Sequence, residues 1–167
     1  MQKLIIPASV EYIYMESWPT FSYHPGSLKE IEVDGSNPNY CSVDGVLYNK
    51  DKSQLIYYPS GKEDATFKVP DGVKSIPYGY TFYCAYRLTS IDFNQVEKLG
   101  DYCMAGCHYI SEITIPSSLT SIGKGAFASM KGLTKYIVQP GNPNYSSDKD
   151  GVLFNKDKTK LIAYPTA

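Results

Sequence analysis

A period of about 23 residues runs through the chain, and such a repeat limits the possible folds more than any other feature. Residues 81–93, 103–115 and 126–138 superimpose, with the apolar anchors Leu88, Ile110 and Leu133 at matching places. Between them recur Val73-Lys74-Ser75-Ile76, Val96-Glu97-Lys98-Leu99 and Leu119-Thr120-Ser121-Ile122, each one period after the last. A unit this short cannot bury its own apolar face, so neighbouring units must stack and share one elongated core. Within each unit the spacing Leu88-x-x-Ile91-x-Phe93 alternates in the manner of a strand, not a helix.

One repeat therefore reads as a short strand burying two or three apolar residues, then a turn at Pro70, Asn94 or Pro116. A second short Val-x-x-Ile segment buries two more residues. A pair such as Ala126-Phe127 then begins a short helical or irregular turn that plugs the interior. Six rung strands are expected, at residues 4–6, 31–33, 67–69, 91–93, 113–115 and 136–138. Near the N-terminus, Ile6-Pro7-Ala8-Ser9-Val10-Glu11-Tyr12-Ile13 fits the pattern, whereas residues 16–21 depart from it.

A longer unit is also duplicated. Residues 37–59 and 142–165 share 17 of the 23 positions of the first copy, with one residue inserted in the second. Each opens on a turn dipeptide, Asn37-Pro38 or Asn142-Pro143, and is expected to form a β-hairpin around a polar turn. Those turns are Asn49-Lys50-Asp51-Lys52 and Asn155-Lys156-Asp157-Lys158.

The run from Ile115-Pro116-Ser117-Ser118-Leu119 through Ile122-Gly123-Lys124-Gly125-Ala126-Phe127 resembles the BspA-like leucine-rich repeat family. So do the Asp-Gly-Val-Leu stretches at 44–47 and 150–153, and the resemblance is weakest over 15–27. It implies a β-rich leucine-rich-repeat solenoid with short helical turns. This would be a right-handed stack of about six rungs plus two β-hairpin insertions, formed by residues 1–167 as one domain. It also implies a bacterial protein, at the cell surface or secreted, with an adhesive, protein-binding role. The family carries no fixed catalytic motif, so no catalytic residue is transferred.

Composition narrows the functional classes. Lys plus Arg is 16 and Asp plus Glu is 17, so no positive excess exists to neutralise phosphates or hold an anionic membrane. No apolar run reaches the roughly 20 residues a membrane span needs. Residues 1–14 lack the charged leader and apolar run of an export signal. Tyrosine is abundant, 16 against 6 Phe, and suits half-exposed positions on sheets.

Candidate chemistry is sparse. Cys41, Cys84, Cys103 and Cys107 form no zinc spacing with His24 or His108, and Cys103 and Cys107 fall at small interior positions of the repeat. Cys107-His108 is a conceivable nucleophile and base, without a neighbouring carboxylate in sequence to complete a triad. Asp148, Asp150 and Asp157 lack the ligand pattern of a calcium loop and read as a solvated hairpin tip. Asn144-Tyr145-Ser146 is a glycosylation sequon, and no Gly-rich phosphate loop follows a strand. No cofactor or metal is expected.

The informative constellation is the outer face of the strands. Strand alternation turns Glu30, Glu32, Thr66, Lys68, Ser90, Asp92, Glu112, Thr114, Lys135 and Ile137 outward. Stacked rungs about 4.8 Å apart would make them a mixed-charge surface for a protein ligand. Neither end resembles a polar cap, which leads to the expectation of a longer parent solenoid or of self-association through the ends. The functional expectation is a non-catalytic protein-binding module, with a structural spacer and a Cys/His hydrolase as alternatives.

Overall fold

The computed structural model describes residues 2–15 and 26–167. His24 and residues 16–21, whose sequence departs from the repeat, lie outside the described residues. From the N-terminus, rung strands β1 (Lys3–Ile6) and β2 (Glu30–Val33) precede a unit of β3 (Tyr40–Val43), β4 (Val46–Asn49) and β5 (Leu55–Tyr57). Rung and back-face strands then alternate: β6 (Thr66–Lys68), β7 (Ser75–Ile76), β8 (Ser90–Asp92), β9 (Lys98–Leu99), β10 (Glu112–Ile115) and β11 (Ser121–Ile122). The last rung, β12 (Lys135–Val138), leads into a second unit of β13 (Tyr145–Ser147), β14 (Leu153–Asn155) and β15 (Leu161–Ala163). The result is a β-solenoid of about five turns.

All six expected rung strands are present, two of them shifted by one residue. β1 pairs with β2, β6 with β8 and β10 with β12, each in parallel. A second parallel ladder of β7, β9 and β11 runs along the back. It is knit by a column of bonds in which the amides of Lys74, Glu97 and Thr120 donate to the carbonyls of Ser53, Lys74 and Glu97 at 2.7, 2.8 and 2.9 Å. At the third corner the donors point the other way, from Tyr80 to Tyr102 and from Tyr102 to Lys124. The described residues contain no helix, so the expected short helical turns are seen as runs of hydrogen-bonded turns at this corner. Accordingly, no helix among them is long and apolar enough to cross a membrane.

Each duplicated unit holds one strand more than the expected hairpin. Asp44-Gly45 turns β3 into β4, and β5 completes an antiparallel three-stranded meander, with the same order in β13, β14 and β15. The Asp-Gly turn is laid directly on the preceding rung. The Ile31 amide donates to the Gly45 carbonyl and the Tyr136 amide to the Gly151 carbonyl, both at 2.9 Å. A Cβ on Gly151 would sit 2.3 Å from Cβ of Lys135, and φ there is +78°, so only glycine fits.

The entry to each unit depends on a buried asparagine. Four residues beyond the last apolar rung position, ordinary repeats place Val10, Val73 or Leu119, whereas Asn37 and Asn142 stand there before the meanders. Asn142 is 1% exposed and makes four bonds. Its Nδ2 donates to the Pro116 and Leu119 carbonyls at 2.7 and 3.0 Å. Its Oδ1 accepts from the Asn144 and Tyr145 amides at 2.9 and 2.8 Å. Asn37 repeats the pattern on Pro7, Val10, Asn39 and Tyr40. One side chain thus satisfies the exposed carbonyls of the previous turn and the first amides of the meander, which burial would otherwise leave costly.

The first meander is an internal partition. Val46, Tyr48, Leu55 and Tyr58 face the larger core, with Val73, Ile76, Phe82 and Leu88. Leu47, Ile56 and Tyr57 face a smaller N-terminal core with Ile6, Leu28 and Ile31. Burial on both faces explains why β4 and β5 read as continuous apolar runs instead of alternating ones. Tyr58 stacks on Phe82 at 5.1 Å and meets Phe67 edge-on at 4.9 Å, closing the joint between the partition and the next rung.

Two stability outcomes follow from this geometry. Asn142→Ala removes all four bonds and is expected to cost about 2–4 kcal/mol in urea denaturation. Asn142→Leu, though it restores the apolar residue of an ordinary repeat, should not recover that loss. Gly151→Ala should lower the thermal midpoint, corresponding to at least about 1 kcal/mol, because neither its φ nor its space accepts a side chain.

Candidate binding surface

The rung strands turn alternate residues outward, and the predicted set follows that rule. Glu30, Glu32, Thr66, Lys68, Ser90, Asp92, Glu112 and Ile137 are exposed, while Thr114 and Lys135 are half-buried. Their partners Ile31, Val33, Val69, Ile91, Phe93, Ile113, Ile115 and Tyr136 are buried. Strand pairing sets Thr66 beside Ser90 and Lys68 beside Asp92. It likewise sets Glu112 beside Lys135 and Thr114 beside Ile137.

The column is not continuous. Asp44 of the first meander comes between β2 and β6, and Lys62 reaches back to bond its carbonyl at 2.7 Å. This ridge divides the face into two shallow cavities. One, of about 380 Å³, is lined by Glu30, Glu32, Ser42, Asp44 and Lys62. The other, of about 320 Å³, lies toward Thr66 and Lys68, with Asp44, Lys62, Asp64 and Phe67 around it. Glu30 and Glu32 therefore belong to a different part of the surface from the other eight residues.

Two further face residues come from β1. Lys3 pairs with Glu30 at 3.3 Å and Glu32 at 2.5 Å, and these carboxylates, Glu32 foremost, hold its ammonium pKa above the ordinary lysine value. Ile5 points outward and is 65% exposed. The alternation that placed the other ten would have found both, had it been carried into the first strand. On the far rungs Lys135 pairs with Glu112 at 2.8 Å. Such exposed pairs contribute only about 0–1 kcal/mol each, so these charges shape the surface far more than they hold the fold.

A third, larger concavity of about 620 Å³ lies off the rung strands, lined by Lys29, Glu63, Tyr86, Arg87, Thr89 and Tyr109. Tyr109 is 63% exposed there, and Tyr86 stacks on His108 with ring centroids 5.7 Å apart. The sequence reading assigned the abundant tyrosines to half-exposed sheet positions, whereas Tyr86 and Tyr109 lie in turns off the strands.

The cysteine and histidine chemistry finds little support in the geometry. Cys107 is fully buried, its thiol bonds the Phe82 carbonyl at 3.1 Å, and burial pushes its pKa well above the usual thiol range. Burial likewise raises Cys103 to about 12. All four cysteines are free, and three are buried. Among the described residues no group of three or more His, Cys, Asp or Glu side chains could hold a metal ion. Asp148 instead accepts the Asp150 and Val152 amides, shaping the turn. The Asn144 side chain of the sequon donates to the Thr120 carbonyl at 2.7 Å.

A repeat solenoid with this rung pattern defines a class, and sequence comparison names it. The family model for the BspA type leucine rich repeat region matches residues 61–149, in six copies. The chain belongs to that family. It is similar to a leucine-rich repeat protein from Eubacterium ventriosum, at 33% identity and a TM-score of 0.74. That alignment covers 82% of this chain and 36% of the other. It is also similar to the pneumococcal vaccine antigen PcpA, at 26% identity and a TM-score of 0.66, over 88% of this chain and 41% of that one. The chain thus spans less than half the length of either solved relative. No curated protein matches it.

Alkylation checks the placement of the thiols. In the native protein at pH about 8, Cys103 and Cys107 should stay unmodified by iodoacetamide, whereas both should react in urea. Peptide mass spectrometry reads the outcome, and rapid native labelling of Cys107 would restore the nucleophile reading.

Proposed function

We propose that this chain is a non-catalytic protein-binding module of a bacterial surface or secreted protein, using the rung-strand face as its contact. One observation carries the reading. The interior of the solenoid is filled by apolar side chains, while the rung strands hold a fixed array of polar and charged groups in register. Such an array can discriminate partners by charge and shape while needing no moving part, which is how repeat scaffolds commonly bind. The surface placement draws support from the family and from the similarity to a pneumococcal vaccine antigen.

Binding of the purified chain to immobilised extracellular-matrix proteins, host-cell surfaces and glycans tests this. The comparison is a variant carrying Glu30→Lys, Asp92→Lys and Glu112→Lys, with folding checked by circular dichroism. The expected result is saturable binding by the wild type and at least a tenfold loss, about 1.4 kcal/mol, in the variant. Tyr109→Ala serves as a control in the separate 620 Å³ concavity. Loss there alone would move the contact to that concavity. Absence of any binding by the folded wild type would favour the spacer role.

A further inference from the structure

The corner that leads into the rung strands carries one residue per turn immediately before the apolar anchors Leu88, Ile110 and Leu133. Those residues are Arg87, Tyr109 and Gly132, and the first two line the concavity of about 620 Å³ with Lys29, Glu63, Tyr86 and Thr89. Rungs stand on both sides of these turns, β1 before them and β12 after.

The aromatic wall of the concavity is fixed by the backbone and by buried neighbours. Tyr109 is 63% exposed. The next turn places Gly132 at the matching position, where a Cβ would lie 2.4 Å from the His108 carbonyl oxygen. No side chain can therefore be set there to cover the ring. The Tyr86 hydroxyl donates to the buried Cys84 thiol at 3.0 Å, and its ring stacks on His108. Tyr86 is thus held in one place with its polar tip already used.

The charges are unevenly matched. Lys29 pairs with Glu63 at 2.5 Å, and this bond, with a smaller contribution from Arg87, holds the Glu63 carboxyl below its ordinary pKa. Arg87, the sole arginine of the chain, has no ion pair and no side-chain hydrogen bond among the described residues. Two cations against one carboxylate leave the concavity positive, on a chain whose net charge is -1. A guanidinium with unused donors suits a planar anion, which it grips through two parallel bonds. An uncovered aromatic ring beside it suits a flat, weakly polar surface such as the C–H face of a pyranose. A sugar acid carries both features, and the volume lies in the range of small-ligand sites.

We propose that this concavity binds an acidic sugar, a uronate or a sialate, with its carboxylate on Arg87 and its ring against Tyr109. Lys29 and Glu63 supply a donor and an acceptor for the hydroxyl groups. The site is separate from the outer strand face, and the inference does not rest on the function assigned to that face.

Isothermal titration calorimetry with ligand concentrations up to about 5 mM provides the test. The probes are tetragalacturonic acid and sialyllactose, their neutral counterparts (the methyl ester and lactose), and a tetraglutamate peptide. The wild type should bind at least one acidic sugar saturably, and the one bound identifies the source of the carboxylate. Its neutral counterpart and the peptide should bind at least tenfold more weakly. Arg87→Gln and Tyr109→Ala should each lose at least tenfold in affinity with unchanged circular dichroism spectra. Tyr109→Phe, which keeps the ring, should retain the sugar, as should the variant carrying Glu30→Lys, Asp92→Lys and Glu112→Lys. Absence of saturable binding to both acidic sugars, equal binding of the neutral counterpart, or affinity unaffected by Arg87→Gln would overturn the proposal. Equal binding of the tetraglutamate peptide would overturn it too, assigning the concavity to acidic protein segments.

Discussion

Everything in this molecule depends on backbone groups that find their partners one turn further along the stack. A rung of three or four residues cannot satisfy its own amides and carbonyls, nor bury its own apolar side chains. Both needs are met only by a neighbour at the right rise, so the period is set by backbone hydrogen bonding as much as by packing. The column from Ser53 through Lys74 and Glu97 to Thr120 shows the result, one bond per turn at nearly constant length. Threonines reinforce such bonds, Thr120 in this column and Thr89 and Thr134 on the carbonyls of Ala65 and Ser111 beside the rung strands, each adding a hydroxyl bond to the carbonyl that its own amide also uses.

Such a stack has to handle interruptions, and here a polar residue placed in the interior does so. Asn37 and Asn142 occupy a column otherwise held by Val or Leu, and each gathers two carbonyls of one turn and two amides of the next segment. An apolar residue would pack in the same volume and remove all four bonds, leaving the Pro7 and Pro116 carbonyls only their backbone partners Val10 and Leu119. A buried asparagine is tolerated because its inventory of two donors and an acceptor oxygen is fully used. It converts a repeating corner into the start of a meander. The meander in turn becomes a wall with a core on each side.

The outer face gains its character from that same wall. A row of alternating side chains would by itself have made a uniform strip, but the Asp44 ridge cuts it into two shallow basins with different charges. The group around Lys3, Glu30 and Glu32 is largely paired internally, while Thr66, Lys68, Ser90 and Asp92 stand in a separate patch. A ligand reading the whole strip would have to straddle the ridge. The scaffold presents these groups rigidly, because their strands are held by the interior and not by the surface pairs.

The sequence alone determined the repeat, the six rungs, which rung residues face outward and where the duplicated units lie. All of these follow from local periodicity and from the near identity of two stretches. It did not reveal the first strand of each meander, Tyr40–Val43 and Tyr145–Ser147, because these short stretches lack the clean alternation that marks a half-buried strand. Asn37 and Asn142 were legible as turn residues, but not as buried staples. The carbonyls they serve, on Pro7, Val10, Pro116 and Leu119, lie a full turn of the solenoid earlier in the chain. Only the tertiary structure decided that the first meander is a wall with a core on each side. Side-chain alternation is written into each strand, whereas burial depends on what stacks against it, and that belongs to the neighbour.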